Sequence, residues 1–169
     1  MSRPILDDAF GHHVWATLQL LDACLALEPG QLETTVPGTY GSIIATVRHL
    51  VGGDCGYLFA LTNGRLREIA EDEMDLVALR AQMEANGPEW TALVAQATDP
   101  DVDVVRHRDD GTDSHAPLGI RLAQVLHHGT DHRSQVCTAL TALGVEPPAI
   151  DVWDFAERDG RLSVTPAAS

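Results

Sequence analysis

Four long stretches of apolar residues at a spacing of three to four constrain the fold of this chain most strongly. This spacing places apolar side chains on one face of an α-helix. Proline or glycine residues follow each stretch, and both residue types commonly mark helix ends. We predict helices over about residues 8–27, 42–61, 75–96 and 117–143. Gly87–Pro88 is a candidate break in the third helix, because proline removes a backbone donor.

The segment between the third and fourth helices has the pattern of a β-hairpin. Residues 102–106 and 112–116 are short enough for strands, and Asp110–Gly111 between them is a turn signal. Residues 151–156 predict a short helical turn, and the last few residues predict disorder. The predicted fold class is therefore all-α: a four-helix bundle with a small β-hairpin between helices 3 and 4, in a single domain over residues 1–169.

Composition excludes several classes of function. The formal net charge is -14, which disfavours nucleic acid and anionic membranes as partners. All 11 cationic residues are arginine, so a Schiff-base lysine and a P-loop lysine are excluded. No apolar run approaches the length of a membrane span, and we expect a soluble, cytoplasmic protein. The 3 cysteines form no CxxC pair, so we expect reduced core thiols.

The segment from His127 to His132 contains the strongest chemical signal. Residues four apart on a helix lie one turn above each other, so His128 and His132 would direct both imidazoles towards one point. A helical wheel places these two histidines at the edge of the buried face and His127 on the opposite, solvated face. An ordinary pair of surface or core histidines is the alternative. Gly129 stands where a zinc peptidase would have its glutamate, which disfavours that class.

A metal site would need a third ligand. His49 lies in the middle of the second helix, on a strip of small residues, Ala45, Gly52, Gly53 and Gly56, that would permit close approach or leave a cleft. An exposed helix histidine is the alternative for His49. We expect the other candidates to be solvated, and these are His12, His13, His107 and His115.

Two motifs resemble the DinB and YfiT-like superfamily of metal-dependent enzymes. One is the segment 36–43 (VPGTYGSI) followed by His49, and the other is the pattern HxxxHRxQ from His128 to Gln135. The resemblance implies a four-helix bundle with up-down-down-up connectivity, a homodimer, and a divalent metal bound by three histidines. Carried over position by position, the metal ligands are His49, His128 and His132. Ser134 stands where the family often has glycine, a mild departure.

The resemblance also implies residues that support the ligands. Asp54 matches a position that is often acidic, although a surface or capping carboxylate is an equal alternative. Arg133 and Gln135 would hold structure or substrate, and the wheel places Gln135 beside His128. Interhelical hydrogen bonds are the alternative role for both. Imidazole suits several metals, of which zinc or nickel is the first expectation and iron a further one.

The function implied by the resemblance is activation of a low-molecular-weight thiol, because characterised relatives use bacillithiol or mycothiol. We predict a metal-dependent thiol S-transferase or isomerase with a small-molecule substrate. The alternatives are a metal-dependent hydrolase of a small substrate and a non-catalytic metal-binding stress-response dimer. The sequence assigns no catalytic residue beyond the metal ligands.

Overall fold

The structure is a computed structural model that describes residues 3, 5–108 and 110–165. Within them the chain is mostly helical, with one small antiparallel sheet. The elements in chain order are α1 (Asp7–Leu25), α2 (Pro29–Leu32), α3 (Ile43–Leu61), a 3₁₀ turn (Glu71–Glu73), α4 (Leu76–Gln96), β1 (Asp103–His107), β2 (Asp113–Pro117), α5 (Leu118–Ala142) and α6 (Val152–Arg158). The residues beyond 165, for which we predict disorder, lie outside the described part.

The four predicted long helices are confirmed as α1, α3, α4 and α5, and their boundaries have local causes. Ser42 begins α3 because its hydroxyl accepts a hydrogen bond from the Ala45 amide, and Asp75 begins α4 by accepting from Ala78. Gly144 follows α5 with φ of +74°, a left-handed conformation that glycine adopts at little cost. The short turn predicted near the C-terminus is the seven-residue helix α6.

The predicted break at Gly87–Pro88 is wrong, because α4 continues through both residues. Pro88 lies on the exposed side of α4, and so does Glu84, whose carbonyl loses its helical partner. Water can satisfy a carbonyl on an exposed face, which lowers the cost of the missing hydrogen bond. Trp90 and Met83 on the other side of α4 are fully buried, and their packing holds the helix together.

The hairpin between α4 and α5 is confirmed, with each strand displaced by about one residue from its predicted range. Asp103 pairs with Pro117 and His107 with Asp113. Pro117 therefore ends β2 and also precedes the first residue of α5, where a fixed φ favours helix entry. The guanidinium of Arg121 joins the hairpin to α5 by donating to the carbonyls of Val104 and Ser114.

The four long helices pack against one another. Helix α1 contacts α4 and α5, and α3 contacts the same two helices. Two apolar clusters fill the space between them, one centred on Leu20, Val47 and Leu140 and one on Phe10 and Trp90. In the described part of the chain, no helix combines the length and apolar character that membrane crossing needs.

The cysteines are free thiols, as predicted. Cys24 and Cys55 are buried, and Cys137 is partly buried. Burial raises the pKa of the Cys24 thiol to about 12 and that of Cys55 to about 11. Both side chains are therefore neutral core residues at physiological pH.

Candidate metal centre

Helices α3 and α5 bring together the three histidines that the resemblance implies as ligands. His49 lies in the middle of α3, and His128 and His132 lie one turn apart on α5. The contact depends on Gly53 of α3, since a Cβ atom there would lie 2.6 Å from Cε1 of His128. The close approach expected at the strip of small residues is therefore confirmed at Gly53.

The three imidazoles surround a common point. Their ring centroids are 4.4–5.1 Å apart, and each pair of rings is steeply inclined, at 67–89°. One ring nitrogen from each histidine lies within 4.8 Å of the other two. The Nε2 atoms of His49 and His128 are 3.3 Å apart.

This geometry fits a divalent metal. Zinc–nitrogen bonds of about 2.0–2.1 Å in a tetrahedral arrangement separate two ligand atoms by about 3.3–3.4 Å. The Nε2–Nε2 distance of His49 and His128 matches that separation. Nδ1 of His132 contacts Oε1 of Gln135 at 3.3 Å, which leaves Nε2 of His132 for an ion. The histidine cluster is thus compatible with a bound divalent metal.

The protonation states of His128 and His132 also favour metal binding, because an imidazole must be neutral to act as a ligand. Burial, with smaller contributions from His132 and His49, lowers the pKa of His128 to about 4. Burial also lowers the pKa of His132, and the hydrogen bond with Gln135 partly opposes this shift. His128 and His132 are therefore uncharged at neutral pH.

Two tyrosines border the cluster. The ring of Tyr40 stacks on His49 with a centroid distance of 4.2 Å and an interplanar angle of 5°. Tyr57 packs edge-on against His128 at 5.5 Å. The Tyr40 backbone amide donates to Oε1 of Gln135 at 2.8 Å, which holds the loop before α3 against α5. Aromatic surfaces therefore limit the cluster on two sides.

A cavity of about 470 Å³ opens beside His49 and His128, where the sequence indicates a cleft. Gly52, Gly53 and Gly56 form one side of it, and the 66–73 loop and β1 form the other. Its remaining lining residues are Tyr57, Glu68, Ile69, Glu71 and Arg106. A small molecule in this cavity would reach the histidines from the open side.

Comparison with known proteins identifies the family. The model of the DinB family matches residues 1–162, almost the whole chain. The chain belongs to the DinB family. A search of curated proteins found no significant match to it.

This DinB-family protein also contains a set of hydrogen-bonded buried residues on the core side of α3 and α5, termed the buried network. Its members are His13, Thr17, Asp54, Asn86, Trp90 and Arg133. Its centre is Asp54, which is 2% exposed. The Asp54 carboxylate contacts Nε2 of His13 at 2.8 Å and accepts from Asn86 at 2.6 Å and from the Trp90 indole at 3.0 Å. Asp54 is therefore neither a surface nor a capping carboxylate. Among the described residues, its hydrogen bonds lead away from the histidine cluster.

Arg133 completes the buried network and links α5 to α1. One guanidinium nitrogen lies 3.1 Å from Nδ1 of His13 and donates to Thr17 at 3.1 Å. Burial lowers the pKa of Arg133 to about 10, and the carboxylate of Asp54 opposes the shift. Arg133 therefore makes the interhelical hydrogen bonds that were one of its two predicted roles.

The predicted solvent exposure of His13 is wrong, because the side chain is 2% exposed. His13 bridges Asp54 and Arg133, and this pair of partners offsets the cost of burying a polar ring. The exposure predicted for His12 is also wrong in part. Its ring is half-buried, and Nε2 lies 2.8 Å from the carbonyl oxygen of Ile150.

The other predicted positions have mixed outcomes. His127, His107 and His115 are exposed, as predicted. Gln135 contacts His132 rather than His128, the neighbour that the wheel indicated. A helical wheel shows only the angle of each side chain around the helix axis. Residues three apart are neighbours along the helix surface, so the amide of Gln135 contacts the ring of His132.

Sequence reasoning did not assign three residues beside the cluster. Tyr40 lies within a motif used for the resemblance, Tyr57 lies two turns after His49 on α3, and Glu71 lies in an acidic run between α3 and α4. A spacing of eight places Tyr57 near the His49 side of α3, and this signal could have been used. Nothing local distinguishes Glu71 from the two acidic residues that follow it.

Proposed function

We propose that this DinB-family protein is a metal-dependent enzyme that activates a low-molecular-weight thiol for S-transfer or isomerisation. The observation that carries the proposal is the cluster of His49, His128 and His132, with one nitrogen from each within 4.8 Å of the others. We assign these three residues as ligands of zinc or nickel, with iron a further candidate.

Three histidine ligands leave coordination positions open, which is typical of catalytic rather than structural metal sites. The cavity beside His49 and His128 supports this interpretation, because it gives a small substrate access to the same point. A divalent metal held there would supply a Lewis acid that favours a thiolate over a thiol at neutral pH. The histidines hold the site, and Tyr40 and Tyr57 shape its walls.

In the proposed S-transfer, the thiol S–H bond breaks and a bond forms between sulfur and an electrophilic carbon of the acceptor. The bond from that carbon to its leaving group breaks, and the proton and leaving group pass to solvent. The described residues show no cysteine at the histidine cluster, and the thiols of Cys24 and Cys55 are buried with raised pKa values. The nucleophilic sulfur therefore comes from the substrate.

The metal assignment is tested by measuring bound metal after gentle purification. We expect one metal per chain in the wild type and a large loss in His49→Ala and His128→Ala. His127→Ala is the matched control, since His127 is an exposed histidine next to His128 on the same helix. Metal content that survives both ligand substitutions, or that falls equally in His127→Ala, would contradict the assignment.

The reaction is tested by incubating the metal-loaded protein with several small thiols and an electrophilic acceptor. We expect thiol consumption by the wild type and none by His128→Ala. Ester or amide hydrolysis without thiol consumption would favour the alternative of a metal-dependent hydrolase. Stoichiometric metal without either reaction would favour a non-catalytic metal-binding stress-response protein.

We also propose that the long helices form the four-helix bundle of the family and that the protein is a homodimer. Exposed apolar side chains on α5 and α6 support the dimer, among them Ile120, Val152 and Trp153. Light scattering coupled to gel filtration would test it. A monomer at micromolar concentration would contradict the dimer and leave the metal assignment unaffected.

A further inference from the structure

Glu71 is the carboxylate that contacts the histidine cluster from the rim of the cavity. Its Oε1 atom lies 3.6 Å from Nδ1 of His49. This separation is a few tenths of an ångström longer than a hydrogen bond. A small rotation of the Glu71 side chain would bring the two atoms within hydrogen-bond distance.

The orientation of the His49 ring distinguishes Glu71 from a metal ligand. Nε2 of His49 faces His128, whereas Nδ1 faces Glu71. Glu71 does not belong to the group of residues whose ligand atoms lie within 4.8 Å of one another, which consists of the three histidines. The carboxylate therefore acts on the imidazole of His49 from the side away from the cluster.

Gly52 provides the space that Glu71 occupies. A Cβ atom at position 52 would lie 1.6 Å from Oε2 of Glu71 and 2.9 Å from its Cβ. The second distance involves an atom close to the Glu71 backbone, so rotation of the carboxylate alone does not relieve the clash. Gly52 is thus required for this position of Glu71.

The segment that carries Glu71 is anchored to the rest of the protein. Arg48 of α3 donates to the carbonyl of Met74 at 2.9 Å, and Ile69 and Met74 pack against the core. The 3₁₀ turn between these two anchors contacts α3 directly. Glu71 therefore lies on a fixed support, as an orienting residue requires.

We propose that Glu71 is a positioning residue that keeps Nδ1 of His49 protonated, so that Nε2 is presented to the metal. The inference rests on the proposed metal site. A carboxylate behind a ligating histidine fixes the tautomer and ring orientation and makes the imidazole a stronger ligand. Nothing in the family pattern of histidines identifies Glu71, and its role depends on the contact with His49.

The test compares the zinc affinity of four proteins by competition with a chelator. Loss of such a carboxylate typically weakens metal binding about 10- to 100-fold, and we expect this for Glu71→Ala. Glu71→Gln should lose less, because its amide oxygen still accepts a hydrogen bond. Glu73→Gln is the matched control, since Glu73 is an exposed residue of the same turn, and we expect its affinity within about twofold of wild type.

Gly52→Ala tests the same contact from the other partner. The added methyl group should displace Glu71 and weaken zinc binding, although no charge has changed. Alanine favours the helix more than glycine, which offsets part of the cost of moving the Glu71 segment, so we expect the metal-free variant to unfold cooperatively at a urea concentration slightly below that of wild type. A large loss of affinity in a variant that still unfolds cooperatively near the wild-type midpoint separates loss of positioning from general damage to the fold.

The tautomer of His49 gives a readout that does not need metal. Ring nitrogen chemical shifts above neutral pH should show Nδ1 protonated in the wild type, and this preference should be lost in Glu71→Ala. Equal zinc affinity in Glu71→Ala and wild type, or an equal loss in Glu73→Gln, would overturn the inference. If the wild type binds no zinc, the proposed function fails, and the tautomer then decides whether Glu71 positions His49.

Discussion

The histidine cluster and the buried network lie on different faces of the same two helices, and their polar groups have different partners. In the cluster, ring nitrogens of His49 and His128 face each other, and a cavity opens beside them. In the buried network, the imidazole of His13 has a partner at each nitrogen, Asp54 on one side and Arg133 on the other. The histidine cluster leaves ring nitrogens available to a ligand, whereas in the buried network both ring nitrogens of His13 have protein partners.

The difference shows that burial alone does not mark a functional histidine. His13 is more buried than any histidine of the cluster, yet its partners are protein groups that complete its hydrogen bonds. Buried polar groups with satisfied bonds contribute to the stability and specificity of the fold. Convergent ring nitrogens that lack such partners are available to a metal. Four predictions test this division.

The largest expected effect is the loss of stability in Asp54→Ala. The substitution leaves buried polar groups of His13, Asn86 and Trp90 without their shared acceptor, and each buried polar group left unsatisfied costs about 1–3 kcal/mol. The free energy of unfolding should be measured with urea on the metal-free protein. Asp72→Ala, at an exposed carboxylate, is the control. A loss below about 1 kcal/mol would show that Asp54 does not hold the network together.

The second effect is stabilisation by zinc. Free zinc at 100 times its dissociation constant should raise the free energy of unfolding by about 2.7 kcal/mol. The increase should disappear in His128→Ala and persist in Asp54→Ala, provided that the latter still folds. Denaturant titrations with and without zinc measure it. Loss of the zinc effect in a folded Asp54→Ala protein would mean that the two regions are not separate.

A smaller effect is expected for Trp90→Phe. Phenylalanine keeps an aromatic ring against Phe10, which lies 4.8 Å from the indole between centroids, but it cannot donate to Asp54. Loss of a hydrogen bond to a charged acceptor costs about 1.5–3 kcal/mol. Urea unfolding should detect the change, and metal content should remain that of wild type. A fall in the metal content of Trp90→Phe would show that Trp90 also supports the metal site.

The smallest effect is expected for the stability of metal-free His49→Ala. The His49 side chain is 31% exposed, and Tyr40 is the aromatic ring nearest to it, with the two rings stacked. We expect the free energy of unfolding to change by less than about 1 kcal/mol, although metal binding is lost. A change as large as that of Asp54→Ala would make His49 a structural residue.

Local sequence signals predicted much of the fold and part of the candidate site. Ser42 marks the start of α3 through its side-chain hydroxyl, and Gly144 marks the end of α5 through its left-handed backbone, so these two helix bounds follow from nearby residues. The helical period of α5 also correctly placed His127 on the exposed face, apart from His128 and His132. The family resemblance, rather than periodicity, indicated His49 on a distant helix.

The rest depends on contacts between distant residues. His13 and Asp54 are 41 positions apart, and Arg133 is 120 positions from His13, so no local pattern shows that they form one network. Pro88 reads as a helix breaker, but tertiary packing around Trp90 overrides that preference. Glu71 becomes a candidate only when the loop after α3 is seen to fold back over Gly52.

His132 and Arg133 are consecutive residues of α5, yet one belongs to the histidine cluster and the other to the buried network. Neighbouring side chains on a helix diverge by about 100°, and this divergence lets one helix serve both regions. Because both regions share α5, the histidine cluster and the buried network cannot change independently during evolution. A substitution that turned α5 to suit a larger metal or a new substrate would turn Arg133 by the same angle away from His13. Changes in what the cavity binds are therefore expected to arise in the loops and side chains around it, with the rotation of α5 preserved.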